Sequence, residues 1–274
     1  MHLRGAVSIA LVSIVGLAAF MWPLLVVPGS GLDDAAMAPL ILAALLPLFL
    51  LVVLAEISRG GFDVKAIAML GVLSAVGAIL RPLGAGAAGL ETVFFLLVLA
   101  GRVYGPGFGF VLGATTLLSS ALLTGGVGPW LPFQMLAAAW VGLFAGLLPR
   151  ARGRAELALL VAYGVVAGIG YGLVMNFSFW PFTVGIENQL AFVAGAPVLE
   201  NLHRFIIFSV STSLGWDLGR ALVNTLAILL LGPAVLSALR RTARRAAFDL
   251  VGSGAPPGPS VQQAGRTRSH ELRQ

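Results

Sequence analysis

The 274-residue chain is 58% hydrophobic and only 10% charged, against about 25% charged in a typical soluble domain. At about 20 apolar residues per helical crossing, eight membrane spans take up roughly 160 residues, which excludes a sizeable soluble catalytic domain. Seventeen Lys and Arg against eleven Asp and Glu give a net charge of +6, but the basic residues stand just beyond apolar runs, as orientation signals do, so no nucleic-acid partner is expected. There is no cysteine, hence no disulfide, thiolate metal site or cysteine nucleophile. The single lysine, Lys65, precedes Ala66 and follows no Gly-rich loop, so there is no P-loop. Any ATP must be used by a partner.

The first apolar run covers residues 5–27 after Arg4, and an acidic loop with Asp33 and Asp34 separates it from a second at 37–55. The first run exceeds the core of a signal sequence, about 7 to 15 residues, and is read as an uncleaved span although Ala36-Met37-Ala38 resembles a cleavage site. A polar hinge at 56–65 leads to a third span at 66–80, then a Gly-rich loop at 81–89. Spans four (91–103) and five (107–123) are joined only by Tyr104-Gly105-Pro106. The sixth, 131–148, stops before Arg150, Arg152 and Arg154; the seventh is 157–175; an aromatic connection at 176–215 precedes the eighth, 216–236, which ends in Arg240, Arg241, Arg244 and Arg245. The expected fold is an all-α polytopic membrane protein of eight transmembrane helices. It divides into an N-terminal pair of helices (1–60), a six-helix membrane core (61–245) and a disordered cytoplasmic tail (246–274) rich in Gly, Pro, Ser and Gln.

Placing Arg4 in the cytoplasm puts Arg59, Lys65, Arg102, Arg150, Arg152, Arg154 and the Arg240–Arg245 group on inner ends, with Arg81, Arg204 and Arg220 outside. Both termini are then cytoplasmic. Trp22, Trp130, Trp180 and Trp216 fall at the outer interface, where aromatic belts lie.

Small residues recur at four-residue spacing: Gly105, Gly109 and Gly113; Gly142 and Gly146; Gly164, Gly168 and Gly172. Such ladders allow close helix approach within the bundle. On span three, Gly71 with Ala75 and Ser74 with Ala78 form another small surface, suited to a partner subunit. Ionisable residues at membrane depth are costly and line cavities or meet counter-ions. Arg81 and Glu91 bracket the first outer loop of the core; Asp217, Arg220 and Asn224 follow one another by single turns on span eight; Gln134 and Asn176 lie at the same level. The inner half carries few such groups. Trp130, Phe133, Phe177, Phe179, Trp180, Phe182 and Trp216 surround the outer polar groups, an apolar wall with a few polar anchors as in small-molecule sites. Mutual salt bridging of the charges and lipid anchoring by the aromatic residues are the competing explanations. Glu200 and His203 stand three apart without a second His or an HExxH motif, so neither a metal nor a cofactor is expected.

The central stretch carries Arg81-Pro82-Leu83-Gly84, Glu91-Thr92-Val93-Phe94-Phe95, Gly101-Arg102-Val103-Tyr104-Gly105-Pro106-Gly107-Phe108-Gly109-Phe110 and Gly128-Pro129-Trp130-Leu131-Pro132-Phe133-Gln134-Met135. It resembles the substrate-binding S component of energy-coupling factor (ECF) vitamin transporters, of actinobacterial type, over roughly residues 64–240. The resemblance implies that spans three to eight form the six-helix core and that spans one and two are an N-terminal addition. It implies a bacterial plasma-membrane protein that is not an enzyme, with an outward-facing vitamin cavity in the loops at 81–91, 124–134 and 176–217, and cobalamin as the first candidate. The implied partners are a transmembrane coupling subunit, docked through Gly71, Ser74, Ala75 and Ala78, and two cytoplasmic ATPases. The expected substrate-binding residues are Arg81, Glu91, Trp130, Phe133, Gln134, Asn176, Trp180, Asp217, Arg220 and Asn224. Two other functions stay open. One is a stand-alone ion-coupled carrier titrating Glu91 or Asp217; the other is a lipid-modifying enzyme using Glu200 and His203, with Ser209, Ser211 or Ser213 nearby.

Overall fold

The computed structural model describes residues 3–21, 24, 64–84, 89–182, 190–193 and 195–252. Within them the chain forms α1 (Leu3–Phe20), α2 (Val64–Leu80), α3 (Phe94–Tyr104), α4 (Pro106–Thr124), α5 (Leu131–Leu147), α6 (Gly153–Phe179), α7 (Val198–Thr212) and α8 (Leu214–Gly252). Short 3-10 turns follow α2 and α6, at Arg81–Gly84 and Trp180–Phe182. The second expected span, 37–55, lies outside the described residues. Segments Val64–Gly84, Pro106–Thr124, Gly153–Phe179 and Leu214–Arg244 are long and apolar enough to cross a membrane, and Ala6–Phe20, Phe94–Tyr104 and Leu131–Leu147 are shorter apolar helices. With no strand among the described residues, the chain is an all-α polytopic membrane protein.

α3 is the axis of the bundle. Every residue from Phe94 to Gly101 is buried, the mark of a helix apolar on all sides and enclosed by others. It touches α4, α5, α6 and α8, and its 11 residues span only about 16 Å at 1.5 Å per residue, half a hydrocarbon core. A helix this short is tenable in a bilayer because its neighbours, and not lipid, meet its ends. It stops at Gly105, whose φ of 92° is closed to side chains, and Pro106 starts α4 at once.

The glycine ladders are seams inside the bundle. A Cβ on Gly109 would strike the Gly142 carbonyl, one on Gly142 the backbone of Gly109, and one on Gly101 again the Gly142 carbonyl, so α3, α4 and α5 meet backbone to backbone. Gly113 is closed by the Ala138 carbonyl and Gly146 by Pro106. The third ladder seats α8 on α6: Gly164 faces Ile228 and Asn224, Gly168 faces Ala221, and Gly172 faces the Asp217–Arg220 pair. With no hydrophobic driving force between helices in lipid, such van der Waals contact holds them together.

α1 belongs to this packing. Phe20 is fully buried, edge-on to Phe133 at 4.8 Å and tilted against Trp140 at 5.6 Å. The Trp140 indole donates to Ser13 at 2.9 Å. Of the four small residues on α2, Ser74 and Ala78 are buried towards the bundle, with Ser74 hydroxyl-bonded to Thr115 of α4 at 2.7 Å. Gly71 and Ala75 are exposed, and nothing lies within 4 Å of a Cβ built on Gly71. The expected docking face is therefore split, and only half of it is open.

Two regions differ from the sequence expectation. The connection at 176–215 contains α7, an amphipathic helix that buries Asn201, Phe205, Phe208 and Ser209; the Ser-Val-Ser-Thr-Ser alternation at 209–213 is its last turn and end. α8 runs through Pro233 to Gly252, past the expected start of the tail at Ala246.

Candidate functional site

Arg220 of α8 is the centre of the first site. It is 6% exposed. One terminal nitrogen donates to Asp217 Oδ1 at 2.8 Å and to the Gly168 carbonyl at 2.9 Å, and the other donates to Glu91 Oε1 at 2.9 Å. Its guanidinium lies over Tyr171 at 5.1 Å and Phe94 at 5.8 Å, two rings that also touch each other at 4.6 Å. Stacking on ring faces and forked donation suit an arginine and not a lysine. Gly172 makes the room: a Cβ there would collide with Asp217 and Arg220.

The ladder and the charges are thus one interface. Glu91 reaches Arg220 because the loop before α3 is pressed onto the start of α8. Gly89, at φ 78°, lies against the Trp216 carbonyl, and the Glu91 amide donates to the Gly89 carbonyl at 2.7 Å. The Thr92 hydroxyl, donating to the Leu80 carbonyl at 2.7 Å, ties the same loop to the end of α2.

The cluster is incompletely paired. Arg220 Nε and, one turn deeper, Asn224 Oδ1 have no hydrogen-bond partner among the described residues, although Asn224 Nδ2 donates to the Gly164 carbonyl at 2.9 Å. Glu91 keeps 27% of its side chain exposed. Unsatisfied buried polar atoms are expensive in a membrane, and these stand beside a carboxylate that solvent can reach.

Arg81 forms a neighbouring set. It donates to Gln134 Oε1 at 3.0 Å and to Ser120 Oγ at 3.4 Å, linking the end of α2 to α4 and α5. The Thr92–Leu80 bond sets the turn that carries Arg81 against the loop that carries Glu91. Five of the expected binding residues (Arg81, Glu91, Gln134, Asp217, Arg220) therefore gather around the mouth of α3, with Asn224 just below.

The others go elsewhere. Asn176 of α6 bonds α7 and the residue that follows it, donating to Ser209 and accepting from Ser213, each at 3.1 Å. Trp180 is fully enclosed; its indole donates to the Leu190 carbonyl at 2.7 Å and its rings meet Phe192 and Phe205. Phe177 stacks on Phe205 at 3.7 Å in the same aromatic box. Phe133 packs on α1, whereas Trp130 and Trp216 are about half exposed, at 50% and 45%. The expected aromatic wall is thus two populations, one closed and one facing outward.

Glu200 is bonded to Arg204 at 2.8 Å along α7, and two of the three nearby serines are occupied by Asn176. Among the described residues no three His, Asp or Glu side chains converge as metal ligands would.

Sequence reasoning missed Tyr171 and Phe94, which cover the arginine, because apolar spans are full of aromatic residues and nothing in one sequence marks these two. It also missed a second charge cluster at the opposite ends of the helices. Glu156, 4% exposed, receives Arg102 Nε at 2.8 Å and Arg240 at 2.6 Å. Arg102 further donates to the carbonyls of Leu148 at 2.9 Å and Ala151 at 3.4 Å, and so staples the α5–α6 loop. The i, i+54 and i, i+84 separations of these partners leave no local signal.

No curated protein and no solved structure matches the chain. One family model does, over residues 65–239, and its description is ECF transporter, substrate-specific component. That stretch begins one residue into α2, ends within α8 and contains every residue of the Arg220 cluster. The match covers more than half of the chain: this multi-pass membrane protein belongs to the substrate-specific components of ECF transporters.

Proposed function

We propose that the chain captures a vitamin or related micronutrient from outside the cell, cobalamin being the first substrate to test, and passes it inward with a transmembrane coupling subunit and two cytoplasmic ATPases. The observation that carries this reading is the half-open Arg220 cluster. A buried arginine with a spare Nε–H, a partly exposed Glu91 and the adjoining Arg81–Gln134 pair offer donors and acceptors to a ligand bearing amide, carboxylate or phosphate groups. Trp130 and Asn224 complete the proposed site, and Phe133, Asn176 and Trp180, which pack away from the cluster, support the helices that carry it. Both termini are assigned to the cytoplasm. In support, α7 is amphipathic and outside the membrane-crossing set, which leaves an even count if residues 37–55 span.

The exposed Gly71 and Ala75 are proposed to receive the coupling subunit, with Ser74 and Ala78 setting the angle of that face. Purified protein should bind one member of a panel of cobalamin, riboflavin, thiamine, biotin, folate and pantothenate in equilibrium titrations. Failure to bind any of them or their precursors removes the reading. Uptake by vesicles that lack any ATPase would replace it with a stand-alone ion-coupled carrier.

A further inference from the structure

We infer that the inner ends of α3, α5, α6 and α8 form a binding site for the headgroup of an anionic phospholipid. A cavity of about 980 Å³ opens there, lined by Arg102, Arg150, Arg152, Arg240 and Glu156. Four guanidinium groups face one carboxylate, so the walls carry a net charge of +3. Glu156 is already shared by Arg102 and Arg240, and Arg102 is consumed by the Leu148 and Ala151 carbonyls as well. Arg150 and Arg152 are exposed, and among the described residues no side-chain hydrogen bond or ion pair holds either guanidinium. The fixed part of the cavity therefore keeps a net charge of +1, and the other two positive charges sit on the loop that Arg102 holds in place.

The level of the cavity identifies the source of the anion. It lies where apolar helices end: Leu147 and Phe144, 58% and 50% exposed, precede the loop on α5, and the apolar run of α8 gives way to Arg240 and Arg241. This is the depth of lipid phosphodiesters, and basic pockets between transmembrane helices at that depth hold acidic headgroups. The start of the 27-residue α6 adds its amide dipoles, at Gly153 in the cavity wall. A phosphodiester would lie between Arg150, Arg152 and Arg240, with its acyl chains beside Leu147 and Phe144. The inference is independent of the vitamin reading, and the orientation decides only the leaflet.

Native mass spectrometry and thermal unfolding of the detergent-purified full chain test it, with phosphatidylglycerol and chain-matched phosphatidylcholine titrated in parallel. Phosphatidylglycerol should bind saturably and raise the unfolding temperature, and phosphatidylcholine should do neither. The double variant R150Q/R152Q, which loses no described contact, should weaken phosphatidylglycerol binding about thirtyfold, equivalent to about 1 kcal/mol per arginine, while leaving vitamin binding unchanged. Equal binding of the two lipids, or an unaltered preference in the variant, overturns the proposal. So does complete competition by millimolar inorganic phosphate, which would mark a simple anion site, and so does lipid-independent binding of the coupling subunit that R150Q/R152Q abolishes.

Discussion

The two charge clusters invert one another. Near the start of α8, one arginine faces two carboxylates, Asp217 and Glu91; at the far end of the same helix, one carboxylate faces two arginines, Arg102 and Arg240. The second is closed at its carboxylate, because Glu156 is shared by two arginines and stands in the first turn of α6, where the helix dipole favours a negative charge, and Arg102 also donates to two backbone carbonyls. The first is open, with an arginine Nε–H unpaired and a carboxylate partly exposed. Similar distances thus leave different valences: the Glu156 carboxylate is saturated, whereas the Arg220 cluster keeps an unpaired Nε–H, which the proposed function takes as a place for a ligand. Counting ion pairs alone would not separate them.

The comparison is broken most severely by Arg220→Ala, which leaves Asp217 buried and uncompensated; a loss of about 3 to 5 kcal/mol in unfolding free energy is expected, measurable by denaturation in detergent. Gly172→Ala, which puts a methyl group where Asp217 and Arg220 meet, should cost about 1 to 3 kcal/mol as overpacking and weaken ligand binding with it. A full-stability Gly172→Ala variant would show that the pair has room to shift. Glu156→Gln should cost about 2 kcal/mol, below a complete buried-pair loss, because Arg102 keeps its carbonyls and Arg240 is 44% exposed. It should leave ligand affinity untouched, and a drop in affinity would join the two clusters functionally. Arg81→Ala has the smallest effect on stability, about 1 kcal/mol for its hydrogen bonds, yet should lower ligand affinity about tenfold if the side chain anchors a polar group. Unchanged affinity returns Arg81 to a purely structural link from the end of α2 to α4 and α5.

Most helices were legible because each apolar run is bounded by chemistry that stops a helix: Pro149 and the arginines after α5, Gly105-Pro106 between α3 and α4. α7 was not, although its buried positions 201, 205, 208 and 209 follow the helical i, i+4, i+7, i+8 pattern. Two of the four are polar, Asn201 and Ser209, so a reading keyed to apolar residues passes over them. At the site, the one-turn spacing of Asp217 and Arg220 is local and readable, whereas Glu91 lies 129 residues from Arg220 in sequence. The glycines of α6 were read as packing and the charges of α8 as chemistry. Only the fold shows that Gly172 exists to admit Asp217 and Arg220.

α8 supplies an arginine to both clusters. Arg220 and Arg240 are separated by about 30 Å of helix rise, the thickness of the hydrocarbon core. The helix is therefore a strut pinned at both faces of the membrane, and sliding it along its axis would have to release both pins together. Pro233 lies between them, where the missing amide hydrogen removes one rung of the ladder and lets the strut flex. Bending at that point can loosen one pin while the other holds.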